Sequence, residues 1–129
     1  MAKITVNNKS AEWGDGKRLV LAIEDMGVNI GHRCGGQARC TTCRVNFISG
    51  EPDTMTLAEF NKLREKGYYG EYRLSCQIQC THDMEVEPQM TLENQDWTDT
   101  GPEPDEQVQP VAEWFRIEQL EQSANTLSS

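Results

Sequence analysis

The chain is 129 residues long, enough for one domain of ordinary size with about a quarter of its length left over. Its 12 Lys plus Arg against 21 Asp plus Glu give a net charge of -9, which argues against a nucleic-acid or anionic-membrane partner held by bulk electrostatics. Apolar content is only 36%, so part of the chain should contribute little to a core, and no apolar run reaches the ~18 residues of a membrane span.

Met1-Ala2-Lys3 runs into a strand-like segment with no apolar signal-peptide stretch, so a soluble, cytoplasmic protein is expected. "KITVNN" predicts a short strand ending in an Asn7-Asn8-Lys9 turn, with "SAEW" as its hairpin partner. A helix is predicted over Lys17 to Met26, because Leu19, Ala22, Ile23 and Met26 share a face; Asp15 or Gly16 could cap it and Gly27 could supply a left-handed exit. Glu24 and Asp25 near its end oppose the helix dipole. Residues 31–43 form a Gly- and Cys-rich loop, followed by the strand-like "RVNFIS". In the second helix Thr56 and Glu59 read as a capping box, Met55 and Phe60 as a hydrophobic staple, and Gly67 as the stop. "YRLSCQIQC" and "MEVEP" predict two more strands.

The charge divides the chain. Residues 1–89 carry 11 basic and 12 acidic side chains, net -1, and residues 90–129 carry one basic and nine acidic, net -8. All five cysteines lie in the first part, so a domain over 1–89 is expected, with 90–129 as an acidic, Pro-containing linker and helical extension. In the extension "PVAEWFRIEQLEQ", from Pro110, predicts a helix whose apolar residues Val111, Trp114, Phe115, Ile117 and Leu120 dock on the domain or on a partner. Trp97 is a further candidate anchor.

An odd number of cysteines in a reducing compartment reads as ligands or nucleophiles rather than disulfides. Cys34, Cys40 and Cys43 form C-x5-C-x2-C, and Cys76 follows after 32 intervening residues. Three thiolates on one loop with a fourth arriving from elsewhere is the topology a Cys-ligated 2Fe-2S centre needs. Structural zinc usually takes two close Cys pairs, and this chain has one C-x2-C; a loop of reduced, metal-free cysteines is the other alternative. Gly35 and Gly36 would let the backbone curl round a cluster, and Thr41 and Thr42 could donate hydrogen bonds to its sulfurs.

"CGGQARCTTCRV" (Cys34 to Val45) together with "YRLSCQIQ" (Tyr72 to Gln79) resembles the ligand segments of the 2Fe-2S ferredoxin superfamily. The spacing is similar to that of adrenodoxin-like and bacterial cluster-assembly ferredoxins, and to the ferredoxin domain of the sodium-pumping NADH:quinone reductase. The resemblance covers about residues 3–88. It implies an α+β fold of the β-grasp (ubiquitin-like) type, a mixed sheet crossed by a helix, with one 2Fe-2S cluster held by Cys34, Cys40, Cys43 and Cys76. The strongly acidic docking helix of adrenodoxin-like proteins is missing, since residues 57–66 mix Glu59 and Glu65 with Lys62, Arg64 and Lys66. Nothing reads as a flavin or nicotinamide site, so the resemblance implies a carrier rather than an enzyme.

Cys80, four residues after Cys76 on an expected strand, would lie about 13 Å further along, too far to ligate the same cluster, and reads as a small buried hydrophobe. His32 and His82 could replace two cysteines in a Rieske-type centre, but four well-placed cysteines make a loop residue and a turn residue the simpler reading. Arg33, Arg39 and Arg44 stand beside ligands and would stabilise an added electron, while Arg44 could equally pack its stem on the sheet. An acidic tail lying across this basic loop would screen it from wrong partners. The expected function is one-electron transfer between a ferredoxin reductase and acceptor proteins by a monomeric carrier. The alternative is an iron-sulfur interaction or regulatory subunit whose extension docks a specific partner.

Overall fold

The computed structural model describes residues 2–14, 16–32, 35–38, 41–95, 100–109 and 112–128, with the backbone alone at 93 and 124–128. The chain opens as a hairpin of β1 (Ala2–Val6) and β2 (Lys9–Trp13), paired antiparallel. Asn7 and Asn8 turn it with φ of 52° and 69°, the left-handed pair that matches the twist of a two-residue hairpin. Helix α1 (Leu19–Asp25) follows, with Arg18 and not Asp15 or Gly16 at its N-cap position, and Gly27 leaves it at φ 88°. The later start has a cause: Leu19 N–H donates to Ile78 O and Cys80 N–H to Lys17 O, so the residues before the helix are held as an extended edge.

Strand β3 (Arg44–Ser49) leads to a short β4 (Thr54–Thr56) and to α2 (Leu57–Lys66). The Thr56 hydroxyl accepts from Glu59 N–H at 3.1 Å, and Gly67 ends the helix at φ 75°. The expected strand over Tyr72 to Cys80 is only β5 (Arg73–Leu74), because the chain turns at once into a 3-10 helix at Ser75–Gln77. Ser75 forces this turn: its N–H and Oγ both donate to Cys43 O, at 3.2 and 2.7 Å. Strand β6 (Met84–Pro88) completes a five-stranded sheet of order β2-β1-β6-β3-β5, parallel between β1 and β6 and antiparallel elsewhere. Alternate residues of β1 (Ala2, Ile4, Val6) and β6 (Met84, Val86) meet Leu19, Val20, Ala22 and Ile23 of α1 in the core.

The C-terminal part packs on this domain. Trp114–Arg116, expected as helix, forms a strand β7 antiparallel to β4, and the helix α3 begins only at Ile117 (Ile117–Ser128). Consecutive aromatics suit a pleated surface, and β4 offers an unpaired edge for them. Leu57 N–H to Glu113 O and Ile117 N–H to Asp53 O fasten both ends of the ladder. Leu120 enters the main core at 5% exposure, so the extension's helix docks on its own domain. Trp97, Pro110 and Val111 lie outside the described residues.

Candidate metal centre

Of the four expected ligands, Cys43 and Cys76 are described and Cys34 and Cys40 are not. Cys43 immediately precedes β3 and Cys76 lies in the 3-10 turn after β5; the Arg44–Leu74 pairing and the two Ser75 bonds to Cys43 O fix these segments side by side. Both residues are buried, at 1% and 0% exposure. Among the described residues no three metal-ligating side chains meet, as follows when two of the four cysteines are outside them.

The loop between Cys34 and Cys40 coils as the sequence suggests. Gly35, Gly36 and Ala38 have φ of 70°, 78° and 57°, three left-handed residues within four. A Cβ on Gly36 would stand 2.8 Å from Arg18 Nη2 and 3.0 Å from Pro104 Cβ, so only glycine fits there. The fully buried Arg18 ties the loop to the fourth cysteine. Its Nη2 donates to Gly36 O at 2.7 Å, its Nε to Cys76 O at 3.0 Å and its Nη1 to Asp105 O at 2.8 Å. Buried Gln77 directs its Nε2 at Cys76 Sγ, 3.6 Å away. Soft cysteine sulfurs, a loop position at Gly36 that admits only glycine and a side-chain N–H aimed at a sulfur suit an iron-sulfur cluster.

The other expected candidates go elsewhere. His32 is 2% exposed and bonded through Nε2 to Glu24; burial pulls its pKa down, but the Glu24 hydrogen bond and charge outweigh it and hold the imidazole above its ordinary value. His82 bonds Gly50 O through Nε2 and Thr81 Oγ1 through Nδ1, a turn lock rather than a ligand. Cys80 is fully buried and burial pushes its thiol up to about 11, only slightly offset by Lys17, so it stays a neutral, inert hydrophobe at pH 7. Arg44 stacks on Tyr68 and Tyr72, with its guanidinium 4.8 and 5.4 Å from the ring centroids, and bonds Thr41 O and Met90 Sδ; it serves packing. Arg33 and Arg39 lie outside the described residues. Sequence reasoning missed Arg18 and Gln77: nothing marks an arginine at a helix start as buried, although adjacency to Cys76 is a signal for Gln77.

Residues 4–81 match the family model for the 2Fe-2S iron-sulfur cluster binding domain. This chain belongs to that family. The cofactor of this domain is a 2Fe-2S cluster. It is similar to a Na(+)-translocating NADH-quinone reductase subunit of Shewanella denitrificans, 35% identical over 80 residues, covering 62% of this chain and 19% of that protein. The corresponding protein of Chlamydia felis is 34% identical over 91 residues, covering 66% and 20%. The chain thus spans about a fifth of the length of these curated relatives. The ISC-like [2Fe-2S] ferredoxin of Pseudomonas putida shares the fold, with a TM-score of 0.56, 24% identity, and 67% of this chain and 91% of that one covered. The mixed sheet and crossing helix of the domain are therefore those of a β-grasp ferredoxin.

Proposed function

We propose that Cys34, Cys40, Cys43 and Cys76 hold the cluster, and that the protein passes single electrons from a reductase to acceptor proteins. The juxtaposition of Cys43 and Cys76, buried and fixed by Ser75 at the end of the β3–β5 ladder, carries the ligand assignment. A bound 2Fe-2S cluster supplies a one-electron couple, which calls for no acid, base or nucleophile. The chain's own residues shape the site: Arg18 joins the cysteine loop to the Cys76 backbone, Gly36 leaves it room, and Gln77 offers an N–H to the sulfur. A reductase as donor is supported by the similarity to proteins of a reductase complex.

A second reading, an interaction partner docked through its extension, is favoured by the edge strand β7, where Trp114 and Phe115 are 40% and 38% exposed. Rapid reversible reduction by a ferredoxin reductase distinguishes the carrier from a tight stoichiometric complex. For the ligands, Cys76→Ser is expected to lose most of the charge-transfer absorption and the rhombic paramagnetic signal of the reduced protein, whereas Cys80→Ser keeps both. An unchanged spectrum in Cys76→Ser would remove it from the ligand set.

A further inference from the structure

Residues 100–109 are rich in proline and acidic side chains, and only Pro104 and Val108 among them are buried. A segment of that composition has no core of its own, so its position must come from the surface beneath it. Three donors supply it: His32 N–H to Thr100 O at 2.8 Å, Arg18 Nη1 to Asp105 O at 2.8 Å and Gln77 Nε2 to Gln109 O at 2.6 Å. All three belong to the cluster site. His32 leads into the cysteine loop, Arg18 grips the carbonyls of Gly36 and Cys76, and Gln77 adjoins Cys76. Between these bonds a Cβ on Gly35 would meet Pro102 at 3.4 Å and one on Gly36 would meet Pro104 at 3.0 Å, so the strap lies directly on the loop.

Gln77 is where strap and sulfur share one group. The Thr56 hydroxyl donates to Gln77 Oε1 at 2.7 Å, which turns Nε2 toward Gln109 O at 2.6 Å and Cys76 Sγ at 3.6 Å. Sulfur is a weak acceptor and would not by itself hold a flexible carboxamide in place. Two strong bonds, one from the domain and one to the strap, fix the amide plane, so the N–H to Sγ forms without a further ordering cost. A donor on a ligand sulfur favours the more negative, reduced state and raises the reduction potential.

We propose that the 100–109 strap is a clamp that positions the Gln77 N–H on Cys76 Sγ, so that the C-terminal extension sets the reduction potential of the cluster. The proposal rests on Cys76 being a ligand. It makes Gln77 a positioning residue whose effect depends on a segment about 30 residues further along the chain, and Val108 the apolar anchor of that segment.

The test is a double-mutant cycle in the full-length, cluster-loaded protein, with Gln77→Met and Val108→Asp made singly and together. Two quantities are read: the midpoint potential by redox titration, and amide hydrogen exchange resolved over 100–109 and over β1 and β6. Gln77→Met is expected to lower the potential. Val108→Asp should speed exchange in 100–109 while β1 and β6 stay protected, and in its background the Gln77→Met shift should shrink by more than half. Equal shifts in both backgrounds, no shift from Gln77→Met, or strap exchange unmoved by Val108→Asp would each overturn the clamp. If Val108→Asp does not fold, Pro104→Gly loosens the same segment by removing a ring from the loop surface. Retention of the full cluster signal by Cys76→Ser would instead defeat the ligand assignment, and it is read without any potential.

Discussion

Burying a guanidinium with a carboxylate costs more than their attraction returns unless every polar atom is met. Arg73 and Glu59, 4% and 0% exposed, approach that condition. Arg73 Nε and Nη2 reach the two Glu59 oxygens at 2.8 and 3.2 Å, Leu74 N–H donates to the same carboxylate, and the carbonyls of Pro52 and Thr54 with the Glu51 carboxylate, 3.4 Å from Nη1, take the remaining guanidinium donors. Burial pulls the Arg73 pKa down, but the Glu59 charge and hydrogen bond more than reverse it, so the cation persists at any pH the fold survives. Glu59→Ala leaves that buried cation only the more distant, exposed Glu51 carboxylate, and a loss equivalent to about 3–5 kcal/mol is expected as a lower urea midpoint, followed by circular dichroism and cluster absorbance together. A change below about 1 kcal/mol would mean water replaces the carboxylate. In the sequence Glu59 fits a capping box, and the Thr56 half of it is present. The carboxylate goes instead to Arg73, fourteen residues away, because a buried arginine outbids a single N–H. Local spacing could reveal the cap; only the folded chain brings Arg73 to it.

Two glycines with the same backbone twist separate elements that are easily read from those that are not. Gly67 closes α2 at φ 75° with open space around its Cα, while Gly50 leaves β3 at φ 77° with a virtual Cβ only 2.2 Å from Asp83 O. The turn after β3 is pressed against the turn before β6, and His82 Nε2 donates to Gly50 O across it. Gly67→Ala is expected to cost about 1–2 kcal/mol, the left-handed penalty alone. Gly50→Ala adds a backbone clash that must move the β3–β6 edge, and its midpoint should fall by clearly more than that of Gly67→Ala; equal losses would place Asp83 further away than it stands here. The Asn7-Asn8 hairpin and α2 were legible because their signals are local and agree. β4 was not, since three residues become a strand only when β7 arrives from about sixty positions later. The break after β5 was equally hidden, because the Ser75 bonds to Cys43 O join segments that only the tertiary fold brings together.

At the scale of the molecule, the charge division marks composition more than independence. Net charges of -1 and -8 for residues 1–89 and 90–129 suggest a domain and an appendage, and the cysteine spacing made the cluster family legible without any structure. The apolar residues of the tail were visible too, but their burial depends on a shape the sequence does not display. Leu120 is 5% exposed within the main core, Ile117 packs against that core, and Tyr69 donates to Glu121 at 2.6 Å, its hydroxyl pKa pushed up to about 12 by burial and by that carboxylate. If these contacts hold the extension to the domain, the two lose structure in one step. Leu120→Ala removes a buried aliphatic side chain and should cost about 2–5 kcal/mol of the stability of the whole, lowering the midpoint of cluster loss and of sheet unfolding by the same amount, with one transition retained. The contrary result is equally plain: a tail that melts early by hydrogen exchange, with the sheet and cluster unfolding at the parental midpoint, would make α3 a peripheral tether. The strap at 100–109 would then keep its place through His32, Arg18, Gln77 and its own buried Val108, and hydrogen exchange would report its protection separately from that of α3.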